Sequence, residues 1–207
     1  MNIKIMTAAF GIALTTFAIT AKAQKTITEG YASYTTDVRG QPAEAKKYFK
    51  PDSTALIITF GAGNVKVLST AKHDYFALVL DIPVAQMQKA AIATPAEIEE
   101  GMNAAPTFTF TPTAETKVIS GFNCKKVVAK TTDGKSYDVW VTNDISIPST
   151  GISLYYQSIG GVPIQYTDFQ QGEEKVVTLT SVTEGKAPAG TYAIPAGFEK
   201  VGMSDLH

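Results

Sequence analysis

Apolar and polar residues alternate along most of this chain, which is the pattern that half-buried β-strands produce. Runs rich in Val, Ile, Thr, Tyr and Phe recur at short intervals, and turns containing Gly or Pro separate them. Residues 43–50 fit a helical turn and a loop equally well. The predicted strands include residues 27–38, 54–60, 65–69, 75–82, 108–111, 152–157, 162–169, 175–183 and 192–201.

The clearest predicted hairpin joins residues 122–131 to residues 135–142 and carries the single Trp and the single Cys of the chain. Asp133-Gly134 lies between the two strands, and this dipeptide favours a two-residue turn because both positions need positive φ. A two-residue turn fixes which residues of the two strands lie opposite each other. The expected pairs are Val128 with Val139, Val127 with Trp140, and Lys130 with Tyr137.

Helical signals are confined to residues 83–103. Pro83 suits the first position of a helix. Thr94 and Glu97 have the spacing of a capping box, in which each side chain binds the other residue's backbone N–H group. We therefore expect two short helices in this segment, with a break near residue 93.

These elements predict a mainly β protein with a helical insertion, of the α+β class. Because short turns join successive strands, we expect an antiparallel sheet of about eight or nine strands. A strongly twisted sheet of that size tends to curl. The expected fold is a curved sheet, or half-barrel, covered by two short helices, with an apolar cavity between helices and sheet.

The first 23 residues have the pattern of a secretion signal. Lys4 precedes an apolar run, and Ala21-Lys22-Ala23 has the small-x-small form of a cleavage site, which predicts cleavage before Gln24. We expect one domain over residues 24–207, exported to the periplasm or the extracellular medium. No cysteine lies near the cleavage point, so we expect no lipid anchor, and no other run is apolar enough to span a bilayer.

Charge argues against two classes of partner. Residues 1–23 contain two lysines and no acidic residue, so the remaining 184 residues carry 16 basic and 19 acidic side chains, a net charge of −3. Nucleic-acid binding without sequence preference needs a cationic surface, so we expect no nucleic-acid partner. A polybasic membrane-binding segment is absent from the sequence as well.

Two residues could serve as a nucleophile or a base. Cys124 precedes Lys125 and Lys126, and neighbouring cations can activate a thiol; the alternative, which we favour, is a buried strand cysteine that behaves as a small apolar residue. His73-Asp74 could belong to a hydrolase triad, but no Gly-x-Ser-x-Gly motif accompanies it. We expect a solvated turn there, no catalytic residues and a protein that is not an enzyme.

Metal sites and cofactor motifs are not evident in the sequence. Two histidines and one cysteine do not supply the usual ligands of a transition metal. Gly61-Ala62-Gly63 lacks the Gly-Lys-Ser/Thr continuation of a phosphate-binding loop. We therefore expect neither a metal nor a cofactor.

Aromatic and Met side chains provide the candidate ligand-lining residues. In the functional interpretation they form an adaptable apolar pocket, in which Met supplies flexibility. In the alternative interpretation they are ordinary core residues. The candidates are Met87, Met102, Phe108, Phe110, Phe122, Trp140, Tyr155 and Tyr156.

Residues 121–145 carry a family resemblance. They combine a Gly-aromatic-x-Cys-Lys-Lys strand, an Asp-Gly hairpin and a Trp-Val-Thr strand, and an Ile-Pro-Ala-Gly-aromatic motif follows at residues 194–198. This pattern resembles a family of secreted bacterial proteins of the Bacteroidetes type, a domain of unknown function. That family is similar to the outer-membrane lipoprotein carrier (LolA-like) fold, an open half-barrel closed by helices. The resemblance implies a fold and no catalytic residues.

Two functions follow as hypotheses. The first is a non-enzymatic envelope protein that binds an apolar or lipid-like ligand between helices and sheet. The second is a structural or protein-interaction module that contacts a partner protein of the envelope. A third hypothesis is a hydrolase that uses His73, which an activity assay would have to support.

Overall fold

The computed structural model describes residues 24–38, 41–170 and 173–206. The predicted secretion signal, residues 1–23, lies outside them. The strands are β1 Lys25–Thr26, β2 Gly30–Val38, β3 Gln41–Lys50, β4 Ser53–Phe60, β5 Gly63–Thr70, β6 Phe76–Ile82, β7 Met87–Ile92, β8 Phe108–Ile119, β9 Phe122–Thr131, β10 Ser136–Thr142, β11 Ile145–Ser146, β12 Val162–Gln170, β13 Glu173–Glu184 and β14 Glu199–Gly202. The helices are α1 Pro95–Asn103 and the short 3-10 turns Pro83–Ala85, Ser149–Gly151, Leu154–Tyr156 and Met203–Asp205.

Twelve of these strands form one sheet, in the order β14-β7-β6-β5-β4-β3-β2-β13-β12-β10-β9-β8. The sheet combines two meanders, β2 to β7 and β8 to β13, which meet where β2 pairs with β13. All neighbours run antiparallel except β14, which is parallel to β7. The predicted antiparallel sheet is therefore confirmed. Strands β1 and β11 form a separate parallel pair.

The predicted fold class is wrong in its strand count and in its helices. One sheet holds 12 strands instead of eight or nine, it is not closed into a barrel, and the described residues contain one α-helix, the nine-residue α1. The expected first helix is a 3-10 turn at Pro83–Ala85 followed by strand β7.

Tertiary pairing explains that error. Gln86 adopts a left-handed conformation, with φ 51°, and reverses the chain so that Met87 pairs with Ile82. The sequence of β7, MQKAAI, favours a helix intrinsically. Its position between β6 and β14 gives its backbone hydrogen-bond partners on both sides, and Ala90 and Ala91 are fully buried there. Context of this kind commonly overrides local preference.

The connection from β7 to β8 requires the sheet to curl. These two strands follow each other in the chain, but ten strand-to-strand steps separate them in the sheet. At about 4.8 Å a step, a flat sheet would place them about 48 Å apart. The connection has nine residues in α1, which rise about 14 Å, and six others, which reach about 20 Å when extended. The ends of the sheet must therefore approach each other.

The β9–β10 hairpin forms as predicted, but its register differs by one residue. Val139 pairs with Val127, Tyr137 with Ala129, and Trp140 with Lys126. The predicted pairs are wrong because the loop has three residues, 132–134, and closes through Thr131 and Lys135. Gly134, with φ 92°, occupies the left-handed position that a three-residue loop of this kind requires.

Three other segments differ from the expected structure. Residues 43–50, which fit a helical turn or a loop by sequence, belong to β3. Residues 152–157 contain the 3-10 turn Leu154–Tyr156 instead of a strand. Of residues 192–201, only 199–201 are in a strand, the start of β14. The irregular residues before β14 pack on the sheet instead of extending it.

Two hydrophobic clusters lie within the described residues. The larger one joins buried side chains of β2, β3, β9, β10, β12 and β13, such as Tyr34, Phe49, Ile164 and Leu179, to Tyr156 of the 3-10 turn Leu154–Tyr156. The smaller cluster lies on the opposite face of β4 to β7. Its members are Ala55, Leu68, Ala77, Val79 and Ala90, with Tyr48, Tyr75, Ile92, Tyr192, Ile194 and Phe198 packed against them.

Candidate functional site

Helix α1 begins with the predicted capping box. Thr94 Oγ1 accepts a hydrogen bond from the Glu97 backbone N–H at 3.3 Å, and the Glu97 carboxylate accepts one from the Thr94 backbone N–H at 2.7 Å. Glu97, Ile98, Gly101 and Met102 then share one side of the helix, because residues three and four apart are neighbours on a helical surface. That side faces the sheet and borders a cavity.

The main cavity has a volume of about 440 Å³ and lies between α1, the segment of residues 149–157 and strands β3 to β6. Most of its wall is apolar, and two of its apolar residues, Met102 and Leu154, are 42% and 39% exposed. A volume in this range suits a small-molecule ligand, for which pockets of about 300–1,000 Å³ are usual. The lining residues are Lys47, Thr54, Ser69, Thr70, Ala71, His73, Tyr75, Phe76, Ala93, Glu97, Ile98, Gly101, Met102, Ser149, Thr150, Ile152, Leu154, Gln157 and Met203.

Lys47 provides a cationic side chain in this wall. Its Nζ donates a hydrogen bond to the backbone oxygen of Ile152, 2.8 Å away. Burial lowers the pKa of Lys47 to about 8, and the negative charge of Asp168 opposes that shift. The ammonium group therefore stays mainly protonated at neutral pH, although its surroundings favour the neutral amine.

A smaller cavity of about 150 Å³ adjoins the main one. Lys47 and Leu154 line both, whereas Asp168 lines only the smaller cavity. The Lys47 side chain therefore contributes to the walls of both cavities. The remaining residues that line the smaller cavity are Tyr34, Thr36, Ala45, Leu56, Ile58, Ser153, Tyr166 and Val177.

A half-buried aliphatic surface extends from the cavities across strands β4 to β6. Strand register places Leu56 beside Val67 and Leu78, and Ile58 beside Val65 and Leu80. Alternation puts these six residues on the face that also carries Thr54 and Lys47. None of the six is fully buried. The opposite face of the same strands is covered by the smaller hydrophobic cluster.

His73 lies in the wall of the main cavity, in a turn where its backbone adopts φ 55°. Its backbone N–H donates to the oxygen of Thr70 at 3.2 Å. The neighbouring Asp74 carboxylate accepts a hydrogen bond from Thr70 Oγ1 at 2.6 Å. The Asp74 carboxylate therefore forms its hydrogen bond within the turn.

Four of the eight candidate lining residues come together, but in the larger hydrophobic cluster. The rings of Phe108 and Tyr156 stack with centroids 5.5 Å apart, Tyr155 meets Tyr156 edge-on, and Phe110 lies beside both Phe108 and Tyr156. Tyr156 is fully buried, and its hydroxyl donates to the backbone oxygen of Thr167. Among the described residues, the wall of the main cavity contains none of these four.

The other four candidates lie outside this group of stacked rings. Met102 lines the main cavity. Met87 begins β7, and Phe122 and Trp140 pack against the larger hydrophobic cluster. The ammonium of Lys117 lies 4.1 Å from the centre of the Trp140 ring. The structure thus places one of the eight candidates at the cavity.

Cys124 is buried, with 1% of its surface exposed, as its apolar interpretation requires. Burial raises the pKa of its thiol, which opposes formation of the reactive thiolate. Within residues 24–38, 41–170 and 173–206, no group of three or more His, Cys, Asp and Glu side chains could hold a metal ion.

The cavity contains residues that sequence reasoning missed, above all Lys47 and Ile98. Ile98 and Met102 have the i, i+4 spacing of one helical face, which was a usable signal. Lys47 follows Ala43 and Ala45 and precedes Phe49 in strict alternation, so a strand assignment for residues 43–50 would have placed a lysine on an apolar face.

Comparisons with known proteins show a fold and no family. No protein-family model and no curated protein sequence matches the chain. The predicted family resemblance therefore stays a prediction. Among solved structures, an uncharacterised conserved protein from Thermus thermophilus is 8% identical with a TM-score of 0.52, over 84% of this chain and 90% of that one. At that identity the similarity concerns the fold alone.

Two other solved structures are more distant in shape. PNGF-II is 19% identical with a TM-score of 0.48, over 86% of this chain and 32% of that one. The complex of MucA and MucB from Pseudomonas aeruginosa is 11% identical with a TM-score of 0.46, over 82% of this chain and 56% of that one. This chain thus spans a third of the first protein and just over half of the second. With TM-scores below 0.5, neither protein informs the function of this one.

No helix within the described part of the chain has both the length and the apolar character needed to cross a membrane.

Proposed function

We propose that this protein is an exported, non-enzymatic binding protein that holds an apolar ligand in the main cavity, between helix α1 and the sheet. The observation that supports this function is the cavity itself, with its mostly apolar wall and its volume of about 440 Å³. Residues that line ligand sites are predominantly apolar, with a few polar groups that orient the ligand. Lys47, His73, Tyr75 and Glu97 are the ionisable members of this wall.

The surroundings of the cavity also favour a binding role. Met102 and Leu154 remain partly exposed although they are large and apolar. The aliphatic surface of β4 to β6 likewise remains half-buried. Exposed apolar surface is unfavourable in water, and contiguous patches of it usually mark a binding site. A ligand would cover this surface and remove it from water.

Gly101 offers a direct test, because a Cβ added there meets no atom within 4 Å. Gly101→Phe should fill part of the cavity, whereas Gly101→Ala adds one carbon and serves as the matched control. We expect Gly101→Phe to weaken the binding of an apolar fluorescent probe by at least about tenfold and Gly101→Ala to bind as the parent does. Both variants should fold, since either residue favours a helix more than Gly does.

Mass spectrometry of an organic extract of the protein, purified from exported material, would complement this test. A co-purifying apolar compound, present in the parent and depleted in Gly101→Phe, would support the proposal. The intact mass of the same purified protein reports the mature N-terminus, where cleavage before Gln24 is expected. If no apolar probe binds and no compound is extracted, the alternative of a protein-interaction module is favoured instead.

A further inference from the structure

We infer that the ligand is an amphiphile with an anionic head, a carboxylate or a phosphate, which binds the ammonium group of Lys47 while its chain lies beneath α1. This inference rests on the proposed function, because it specifies the chemistry of the ligand in the same cavity. It depends on the position of Lys47 relative to the two cavities and to the apolar wall.

The hydrogen bond of Lys47 places its ammonium group at the main cavity. Ile152 is part of that cavity wall, and Lys47 Nζ is 2.8 Å from its backbone oxygen. An ammonium group has three N–H donors, and the Ile152 oxygen accepts from one of them. A ligand oxygen in the main cavity can therefore meet this group in the position that a carboxylate–lysine pair needs.

Asp168 lines the smaller cavity and is not among the lining residues of the main one. Its negative charge favours the protonated form of Lys47. An anion in the main cavity would thus meet a cation that Asp168 helps to keep charged.

The other ionisable residues of the wall leave Lys47 as the best anion partner. The carboxylate of Glu97 accepts hydrogen bonds from both the backbone N–H and the hydroxyl of Thr94, at 2.7 and 2.8 Å, which directs it toward the start of α1. These bonds lower the pKa of Glu97 and keep it ionised. His73 lies in the turn before β6, on the opposite side of β4 and β5 from strand β3, which carries Lys47.

Apolar residues surround the space that the chain of the ligand would occupy. Phe76, Ala93, Ile98 and Met102 line the part of the cavity between α1 and the sheet. A head group at Lys47 therefore orients the chain toward α1. A cation held in an apolar wall is unfavourable by itself, and an anionic ligand offsets this cost by pairing with it.

Four ligands of equal chain length test the inference: dodecanoate, dodecyl phosphate, dodecanol and dodecylamine, titrated calorimetrically at pH 7 below their micelle concentrations. We expect at least one of the two anions to bind roughly tenfold more tightly than dodecanol, as a charge-assisted hydrogen bond predicts, and dodecylamine to bind most weakly. The two anions separate a carboxylate from a phosphate head. Equal binding of dodecanol and both anions would overturn the inference.

Variants of Lys47 test whether the charge of this side chain causes the preference for anionic ligands. Lys47→Met should abolish the preference for anions and retain dodecanol binding, whereas Lys47→Arg should keep the preference. If Lys47→Met does not fold because Asp168 loses a nearby cation, Lys47→Met/Asp168→Asn replaces it. A preference that persists without the lysine would contradict the inference.

The pH dependence supplies a readout that a purely structural lysine would not change. Because the pKa of Lys47 is about 8, the preference for dodecanoate over dodecanol should decline between pH 7 and pH 9.5. A carboxylate ligand stays ionised throughout that range, as does Glu97, whose pKa is lowered. If no ligand of the four binds, including dodecanol, the proposed function fails; if dodecanol binds but charge has no effect, only this further inference fails.

Discussion

Strands β9, β10, β12 and β13 and strands β4 to β6 belong to one sheet, yet their faces are filled very differently. In the first set, which we call the packed region, fully buried side chains such as Val139, Ile164 and Leu179 meet an aromatic cluster. The second set and helix α1 together form what we call the cavity region. One face of its strands is covered by the smaller hydrophobic cluster, and the other face borders the main cavity of about 440 Å³.

This difference separates stability from binding within one continuous sheet. Dense packing in the packed region supplies most of the burial that stabilises the fold. Because the same sheet continues into the cavity region, its backbone pairing holds β4 to β6 in place although their cavity face is incompletely packed. A ligand site can then remain open without a large loss of stability.

The largest difference between the regions should appear in paired truncations. Tyr156→Ala removes a fully buried ring and should destabilise the protein by about 3–5 kcal/mol, the range for large aromatic truncations. Met102→Ala, at a partly exposed position of the cavity wall, should cost less than about 1 kcal/mol. Urea unfolding of both variants measures this, and similar losses would contradict the division into two regions.

Alkaline pH should also destabilise the protein, through three buried tyrosines of the larger hydrophobic cluster. Burial raises the pKa values of Tyr34, Tyr156 and Tyr166 well above the ordinary value, and the negative charge of Asp168 acts in the same direction. The folded state then binds these protons more tightly than the unfolded state, so stability is present below pH 10 and falls as the pH rises above it.

Unfolding free energies between pH 9 and pH 11.5 would measure this decline. Tyr166→Phe removes one of the raised pKa values and should make the decline shallower, although it also deletes a hydroxyl hydrogen bond. An unchanged slope would show that the buried tyrosines are not responsible.

Replacing glycine with alanine should produce a smaller difference in stability between the two regions. A Cβ at Gly161, the residue before β12, would lie 2.6 Å from Val141 Cγ1 and 2.8 Å from the backbone oxygen of Thr142. Gly161→Ala should therefore destabilise by about 1–3 kcal/mol, as overpacking does. Gly101→Ala, in open space on α1, should be neutral or stabilise by up to about 1 kcal/mol. Thermal unfolding of the two variants gives the comparison, and a change of the same sign in both would contradict it.

The smallest expected effect concerns the start of α1. Thr94→Ala removes the N-cap side chain and should lower the free energy of unfolding by about 1 kcal/mol. The effect should be confined to the cavity region. We expect faster amide exchange across α1 and little change in β9, β10 and β12. Glu97→Gln is the matched control, because Gln also completes a capping box. Faster exchange throughout the sheet would show that α1 is part of the global folding unit.

The candidate site was only partly predictable, for identifiable reasons. The capping box of Thr94 and Glu97 is a local pattern, and it forms as predicted. The aromatic candidates Phe108, Phe110, Tyr155 and Tyr156 do come together, but residue type does not distinguish a filled core from a cavity wall. Lys47 was missed because residues 43–50 have weak strand signals, and their assignment to β3 depends on pairing with β2 and β4.

Local chemistry in the sequence determined the mainly antiparallel character of the sheet, the β9–β10 hairpin and the start of α1. These follow from alternation, turn residues and capping, which act over a few neighbouring residues. Only the tertiary structure decided that residues 87–92 form a strand, that the hairpin loop has three residues, and that Lys47 lines both cavities. Those outcomes depend on hydrogen-bond partners and space supplied by distant parts of the chain, which no local pattern contains.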